Sequence, residues 1–199
     1  MKKTLVVIFI FFGIFFSNSQ ETLYGITTST FYTYVENKKT SDIEISGVAE
    51  VPFGLGVFVE RTFNNNTGIK TSINYYSVTD KFRSAGNEFR TKQNSLTITP
   101  LFKFDTAGEY NKGFYLIGGP RISLILNSKN LDGDKLKDFY TTTHFGAQIG
   151  LGIKFLKHFS FETIGDYGLS NIIKDANTKG QPISIYGNLS INLESILNK

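Results

Sequence analysis

The chain has 199 residues, no cysteine, no tryptophan and a formal net charge of +4, half of which sits on Lys2 and Lys3 near the N-terminus. Disulfides, thiol catalysis and Cys-ligated metal sites are excluded, and so weak a charge gives no footing for nucleic-acid binding. Nineteen Phe and ten Tyr beside nineteen Gly and four Pro point to an all-β chain.

Lys2 and Lys3 precede an apolar run from Leu5 to Phe16 and small residues at Ser17 and Ser19, the layout of a secretory signal peptide. The run falls short of the roughly 20 residues that a spanning helix needs, and no second run follows. Residues 1–19 are therefore expected to be a signal peptide, and residues 20–199 one domain, since no linker or composition shift divides them.

Period-two alternation then recurs along the chain. The first strand is predicted over Thr22–Tyr34, followed by a polar, charged loop over Glu36–Ser46. Val51–Tyr76 reads as a complete hairpin. Val51, Phe53, Leu55, Val57 and Val59 share one face of its first arm, Ile69, Thr71, Ile73 and Tyr75 one face of its second, and Asn64–Gly68 supply the turn. Lys81–Gln93 is predicted as a second long loop, and Leu96–Phe104 as a strand in which Pro100 lacks a ladder donor. A short connection over Asp105–Lys112 leads to a strand over Phe114–Leu126, and a third long loop covers Asn127–Asp138. Strands over Thr141–Lys154 and Phe159–Leu169 flank a tight turn at Lys157 and His158; a fourth long loop, Asn171–Gln181, precedes the last strand, Ile183–Leu193.

These are eight strands of the length that a tilted strand needs to cross a bilayer. Long charged loops after strands one, three, five and seven alternate with short turns after two, four and six, the asymmetry of outer-membrane barrels. The expected fold is an eight-stranded antiparallel transmembrane β-barrel, up-and-down, with its apolar face to lipid and both termini on the periplasmic side. A soluble secreted barrel with an apolar lumen would need the face of Leu55, Ile98, Ile122 and Ile149 turned inward.

Eight strands enclose only enough room for side chains. The inward face carries Gly54, Gly56, Gly119, Gly146, Gly150 and Gly152, together with Gln148 and Lys154 and a structural charge network of Glu60, Lys70, Lys103, Arg121, Glu162 and Asp166. Buried charges must pair. The expected pairing sets Arg121 on Glu60, Glu162 or both, with Lys70 or Lys103 balancing Asp166, and closes the lumen to solutes.

The phrasing Pro52-Phe53-Gly54-Leu55-Gly56-Val57-Phe58-Val59-Glu60, then Tyr115-Leu116-Ile117-Gly118-Gly119-Pro120, then Phe159-Ser160-Phe161-Glu162 with Tyr167-Gly168-Leu169, resembles the PorT-like group of eight-stranded outer-membrane barrels over essentially the whole mature chain. The resemblance implies fold and location, and a role in secretion or envelope assembly.

Chemistry is sparse. His158 falls in a predicted solvated turn, and His144 on the inward face, where a satisfied interior histidine competes with a general base. Asp132-Gly133-Asp134 with Asp138 lacks the spacing of a full EF-hand loop, and Gly118-Gly119 lies within a strand rather than in a phosphate-binding loop. No catalytic, cofactor or metal site is expected. The function expected is a membrane scaffold, not an enzyme, with a plugged lumen and surface loops for adhesion, ligand capture or docking of an extracellular or periplasmic partner. Its other partners would be outer-membrane lipid and, during insertion, the barrel-assembly machinery. The alternatives are an envelope or secretion assembly factor, a lipid-modifying enzyme and the soluble ligand-binding barrel.

Overall fold

The computed structural model describes residues 21–38, 43–48, 51–84, 87–107, 110, 112–136, 139–156, 158–172, 174 and 179–197. The predicted signal segment, 1–19, lies outside them, as does Asp138. Alternating apolar and polar residues build nine antiparallel strands: β1 Thr22–Lys38, β2 Ile43–Val48, β3 Phe53–Thr62, β4 Thr67–Ser84, β5 Asn87–Asp105, β6 Gly113–Asn130, β7 Thr143–Phe155, β8 Phe159–Gly168 and β9 Lys179–Asn192. A single helical turn, α1 Glu194–Leu197, follows the last strand.

From β3 to β9 each strand pairs with the next, and β1 pairs with both β3 and β9, so the sheet closes on itself. The ninth strand does not enlarge the barrel. β2 pairs only with the end of β4, Val48 opposite Asp80, where β3 leaves off at Phe53 opposite Ser77. Thus β2 and β3 lie in line along one edge of β4 and form one stave of an eight-stranded barrel.

The two ends differ. At one end the connections are short: Asn64 Oδ1 accepts the N–H groups of Asn66 and Thr67 in the β3–β4 turn, and Leu156 takes a positive φ of 51° in the β7–β8 turn. Both ends of the described chain are here too, with the Leu193 N–H bonded to the Tyr24 carbonyl. Short turns mark the periplasmic end of such barrels and long excursions the outer end. At the outer end the structure corrects the predicted loops. Charged stretches expected to be irregular continue as paired strand: β4 and β5 stay in register to Ser84 opposite Asn87, and β1 and β9 to Lys38 opposite Lys179. Above the apolar zone water can solvate both faces of a ladder, so polarity alone does not end it.

Two prolines fall where the β5–β6 ladder lapses. β5 and β6 are registered at Ile98 opposite Ile122 and again at Phe102 opposite Gly118, and between those points Pro100 and Pro120 would face each other, neither with an N–H to give.

Outward positions form an apolar belt, with Leu55 60 % exposed and Ile149 76 % exposed. Aromatic side chains line both of its margins: Tyr32, Tyr34, Phe53, Tyr75 and Tyr167 on the outer side, Phe104, Phe114, Phe155 and Phe161 on the inner. This is the surface that a lipid bilayer solvates. An apolar lumen, as a soluble barrel would have, is ruled out by the direction of these same side chains. No helix among the described residues is long and apolar enough to cross a membrane.

Candidate functional site: a plugged lumen beneath an outer chamber

Inward positions fill the barrel in layers. Nearest the periplasmic end, the Lys103 ammonium donates to Glu60 Oε1 at 2.7 Å and lies 3.6 Å from Asp105 Oδ2, with the ring of Tyr115 4.2 Å away. Next, Lys70 Nζ donates to Glu162 Oε1 at 2.5 Å and to Ser190 Oγ at 3.3 Å; Tyr115 and Asn188 add donors to the same carboxylate. Above this layer Tyr76, Leu101, Ile117, Ile164 and Tyr186 pack as a buried apolar plug, joined by Phe31. The three rings of Phe31, Tyr76 and Tyr186 meet with centroids 4.8 to 6.2 Å apart. Arg121 lies over them, its Nε donating to Asp166 Oδ1 at 2.6 Å and Nη1 to Ser123 Oγ at 2.7 Å.

All six predicted network residues point inward and are buried, but the pairing differs from that expected. Arg121 is held by Asp166 rather than by Glu60 or Glu162, and the lysines take those two glutamates. Height along the strands decides it. Lys103 lies near the turn end of β5, Arg121 beyond the midpoint of β6, and strand pairing sets Asp166 beside Gln148, two inward positions outward of the level at which Glu162 faces Gly152. Periodicity supplies the face of each residue but not the shear that sets its height around the barrel.

Asp105, fully buried, was assigned to a connection; it continues the inward parity of Leu101 and Lys103, and extending that period by one step finds it. The glycines make room. A Cβ on Gly146 would fall 2.6 Å from Arg121 Nη2, and one on Gly152 would strike the Tyr115 ring.

Above Arg121 the lumen opens into a chamber of about 100 Å³. Its lower wall is the aromatic trio, its sides include Val78, Ile125, Ser123 and His144, and Ile172 and Pro182 stand at its rim. Val78 and Asp80 are inward residues of β4 beyond Tyr76, where the alternation predicts the strand to end. Asp80 accepts from Gln93 Nε2 at 2.6 Å and from the Tyr140 hydroxyl at 2.7 Å, and Thr91, 2.5 Å from that hydroxyl, donates to it in turn. The outward neighbours at this level, Thr79, Lys81, Arg90 and Lys92, are polar, which places Asp80 beyond the apolar belt. Burial pushes its carboxyl up to about 6, against the hydrogen bonds from Tyr140 and Gln93.

His144 lines the chamber and is buried. Its ring nitrogens lie near the backbone at Asn171 and Thr141 yet complete no hydrogen bond. Ser123 is its strand-pair partner, but the Ser123 hydroxyl is engaged by Arg121 and Thr97. No hydrogen-bonded hydroxyl, imidazole and acid are therefore assembled around His144. His158, expected to be solvated, is half-buried and shares a 2.6 Å hydrogen bond with Ser195 Oγ of α1 at the periplasmic end. Among the described residues no cluster of His, Asp and Glu could hold a metal ion; Asp134 instead closes its own turn with Asn130.

Comparison with known proteins agrees with this architecture. No curated protein matches the chain. Among solved structures, neisserial surface protein A superposes with a TM-score of 0.55 at 12 % identity over 87 % of this chain and 99 % of its own. The attachment invasion locus protein of Yersinia pestis, solved with the heparin analogue sucrose octasulfate, gives 0.49 at 15 % identity over 86 % and 99 %. OprG of Pseudomonas aeruginosa gives 0.42 at 15 % over 85 % and 93 %. At these identities the first likeness speaks for the fold alone, and the other two are too distant to carry an argument. A family model described as the outer membrane protein beta-barrel domain matches residues 8–174, most of the chain. With its apolar belt, aromatic margins and closed eight-stave sheet, the chain belongs to the outer membrane protein β-barrel domain family and is a small integral protein of the outer membrane.

Proposed function

We propose that the protein is a closed scaffold whose work is done on its outer side, by adhesion, ligand capture or docking of a partner to the strands that rise above the belt. The observation that carries this reading is the lumen: three ion pairs and an aromatic plug occupy its length, so a transport role has no path. Meanwhile β4 and β5 remain paired well past the last belt residues, Tyr75 and Leu96, and present a structured surface outside the membrane. Lipid is the partner of the belt itself, and assembly into the membrane would pass through the barrel-assembly machinery. The finer likeness to PorT-like barrels supports a second use of the same scaffold, in envelope or secretion assembly. A catalytic role finds no support around His144, which lacks a bonded nucleophile and acid.

The test replaces residues 79–92 with a two-residue turn in the full chain, with folding verified by gel mobility before and after boiling. Loss of binding to cells or envelope partners by the folded, shortened barrel supports the outer-surface reading. Undiminished binding overturns it.

A further inference from the structure

Two features of the outer chamber have no use in holding the barrel together. The first is His144, 7 % exposed, whose ring nitrogens lie near the backbone at Thr141 and Asn171 but complete no hydrogen bond among the described residues. A buried polar group without a partner is destabilising, and natural structures rarely keep one that has no other role. The second is the Nη2 edge of Arg121. Its Nε and Nη1 are engaged by Asp166 and Ser123, while Nη2 lies over Gly146 and makes no hydrogen bond among the described residues.

These two groups are neighbours. His144 and Gly146 are successive inward positions of β7, so the imidazole and the open guanidinium edge stand about one strand repeat, roughly 7 Å, apart on the same wall. Both are hydrogen-bond donors. Beneath and opposite lie apolar surfaces: the rings of Phe31, Tyr76 and Tyr186, with Val78 and Ile125 at the side. Of the acids nearby, Asp80 takes two donors, and Asp166 meets Arg121 Nε through Oδ1 alone. A guanidinium that meets one carboxylate through Nε can bridge to a second through its remaining edge.

We propose that the outer chamber is a binding site for a small single-ring carboxylate, its carboxylate between His144 and Arg121 Nη2 and its ring against Phe31, Tyr76 and Tyr186. The volume is of the right order: a cavity of about 150 Å³ accepts benzene, and the chamber between the rings and Ile172 and Pro182 holds about 100 Å³. The aromatic plug below stops the ligand at the chamber, so the site captures rather than conducts. The proposal rests on the closed-lumen reading but fails separately from it: a barrel that conducts no ions and binds no carboxylate would leave the scaffold intact and remove the site.

The chain has only two histidines, which makes the test clean. Full-length protein in lipid nanodiscs, labelled with 15N at histidine, is titrated with benzoate, benzyl alcohol and benzylamine, with calorimetry in parallel against empty nanodiscs. Benzoate in the millimolar range or below should move the ring signals of His144 and leave those of His158, at the opposite end of the barrel, in place. Benzyl alcohol and benzylamine should bind at least tenfold more weakly. His144→Leu removes an unbonded polar group, so it should leave the unfolding midpoint unchanged or higher while weakening benzoate at least tenfold. Arg121→Lys, which keeps a cation for Asp166 but loses the Nη2 edge, should do the same to benzoate. No His144 response, equal responses of both histidines, equal binding of the three compounds, or full benzoate affinity in folded His144→Leu protein would each overturn the proposal.

Discussion

Removing the charge of Glu162 should unfold this barrel more readily than any other single isosteric change in its lumen. Its carboxylate, 2 % exposed, accepts from Lys70 at 2.5 Å, from Tyr115 at 2.8 Å and from Asn188 at 3.3 Å. Glu162→Gln keeps the shape but leaves Lys70 a buried ammonium whose remaining contacts are Ser190 at 3.3 Å and the Phe58 ring, 4.7 Å from Nζ to centroid. Breaking a buried pair from one side costs about 3–5 kcal/mol, and this variant belongs at the upper end of that range. Lys70→Met belongs at the lower end, because the stranded carboxylate keeps the Tyr115 and Asn188 donors. In the double variant Lys70→Met with Glu162→Leu no charge is stranded, and what remains is chiefly the Tyr115 hydroxyl deprived of its acceptor, about 1–3 kcal/mol. Urea unfolding of the protein refolded in lipid vesicles measures all three. With a slope of about 1–3 kcal/mol per molar urea, the single variants lower the midpoint by roughly 1–5 M. A Glu162→Gln effect below about 1 kcal/mol, or a double variant that costs the sum of the singles, refutes the account of Lys70 and Glu162 as a coupled buried pair.

Arg121→Ala should likewise destabilise by about 3–5 kcal/mol, since it strands Asp166, whose second oxygen already lacks a partner; the same urea assay reads it. Leu55→Arg, on the lipid face, should cost about 2–4 kcal/mol in vesicles, whereas Asn94→Arg, level with the outer margin, should cost roughly 0–1 kcal/mol; equal costs would mean that Leu55 does not face hydrocarbon. Because folding raises the Asp80 carboxyl to about 6, the native state binds the proton more tightly than the unfolded chain does, so this contribution is full below about pH 4 and is lost as the pH rises through 6. Lowering the pH from 7 to 5 should therefore stabilise the wild type by about 1 kcal/mol more than it stabilises Asp80→Asn. Identical pH responses of the two would remove Asp80 as the titrating group.

The sequence carried the barrel and its orientation because both depend on period two. Leu55, Ile98, Ile122 and Ile149 fall on the outward face, and Glu60, Lys70, Lys103, Arg121, Glu162 and Asp166 on the inward, as the alternation predicts. What it did not carry was height. Whether Arg121 meets Glu162 or Asp166 depends on the stagger between staves, a property of ladder registers that no single strand encodes. The outer ends were misread for a related reason. Hydropathy reports the solvent around a strand, and Lys81, Arg90 and Lys92 sit in paired strand that water surrounds. Asp80 lies on that extension of β4, so its place in the wall of the chamber is not legible from hydropathy. His144 was legible as an inward residue, but nothing in one dimension brings it beside the Arg121 guanidinium.

Planar-bilayer recording of the purified, full-length barrel tests the central claim most directly. The stacked pairs Lys103–Glu60, Lys70–Glu162 and Arg121–Asp166, with the ring cluster of Phe31, Tyr76 and Tyr186 among them, predict no stable conductance above that of protein-free bilayers, in the unmodified protein and equally in His144→Leu. Sustained, ion-selective openings from the unmodified protein would contradict the plugged scaffold.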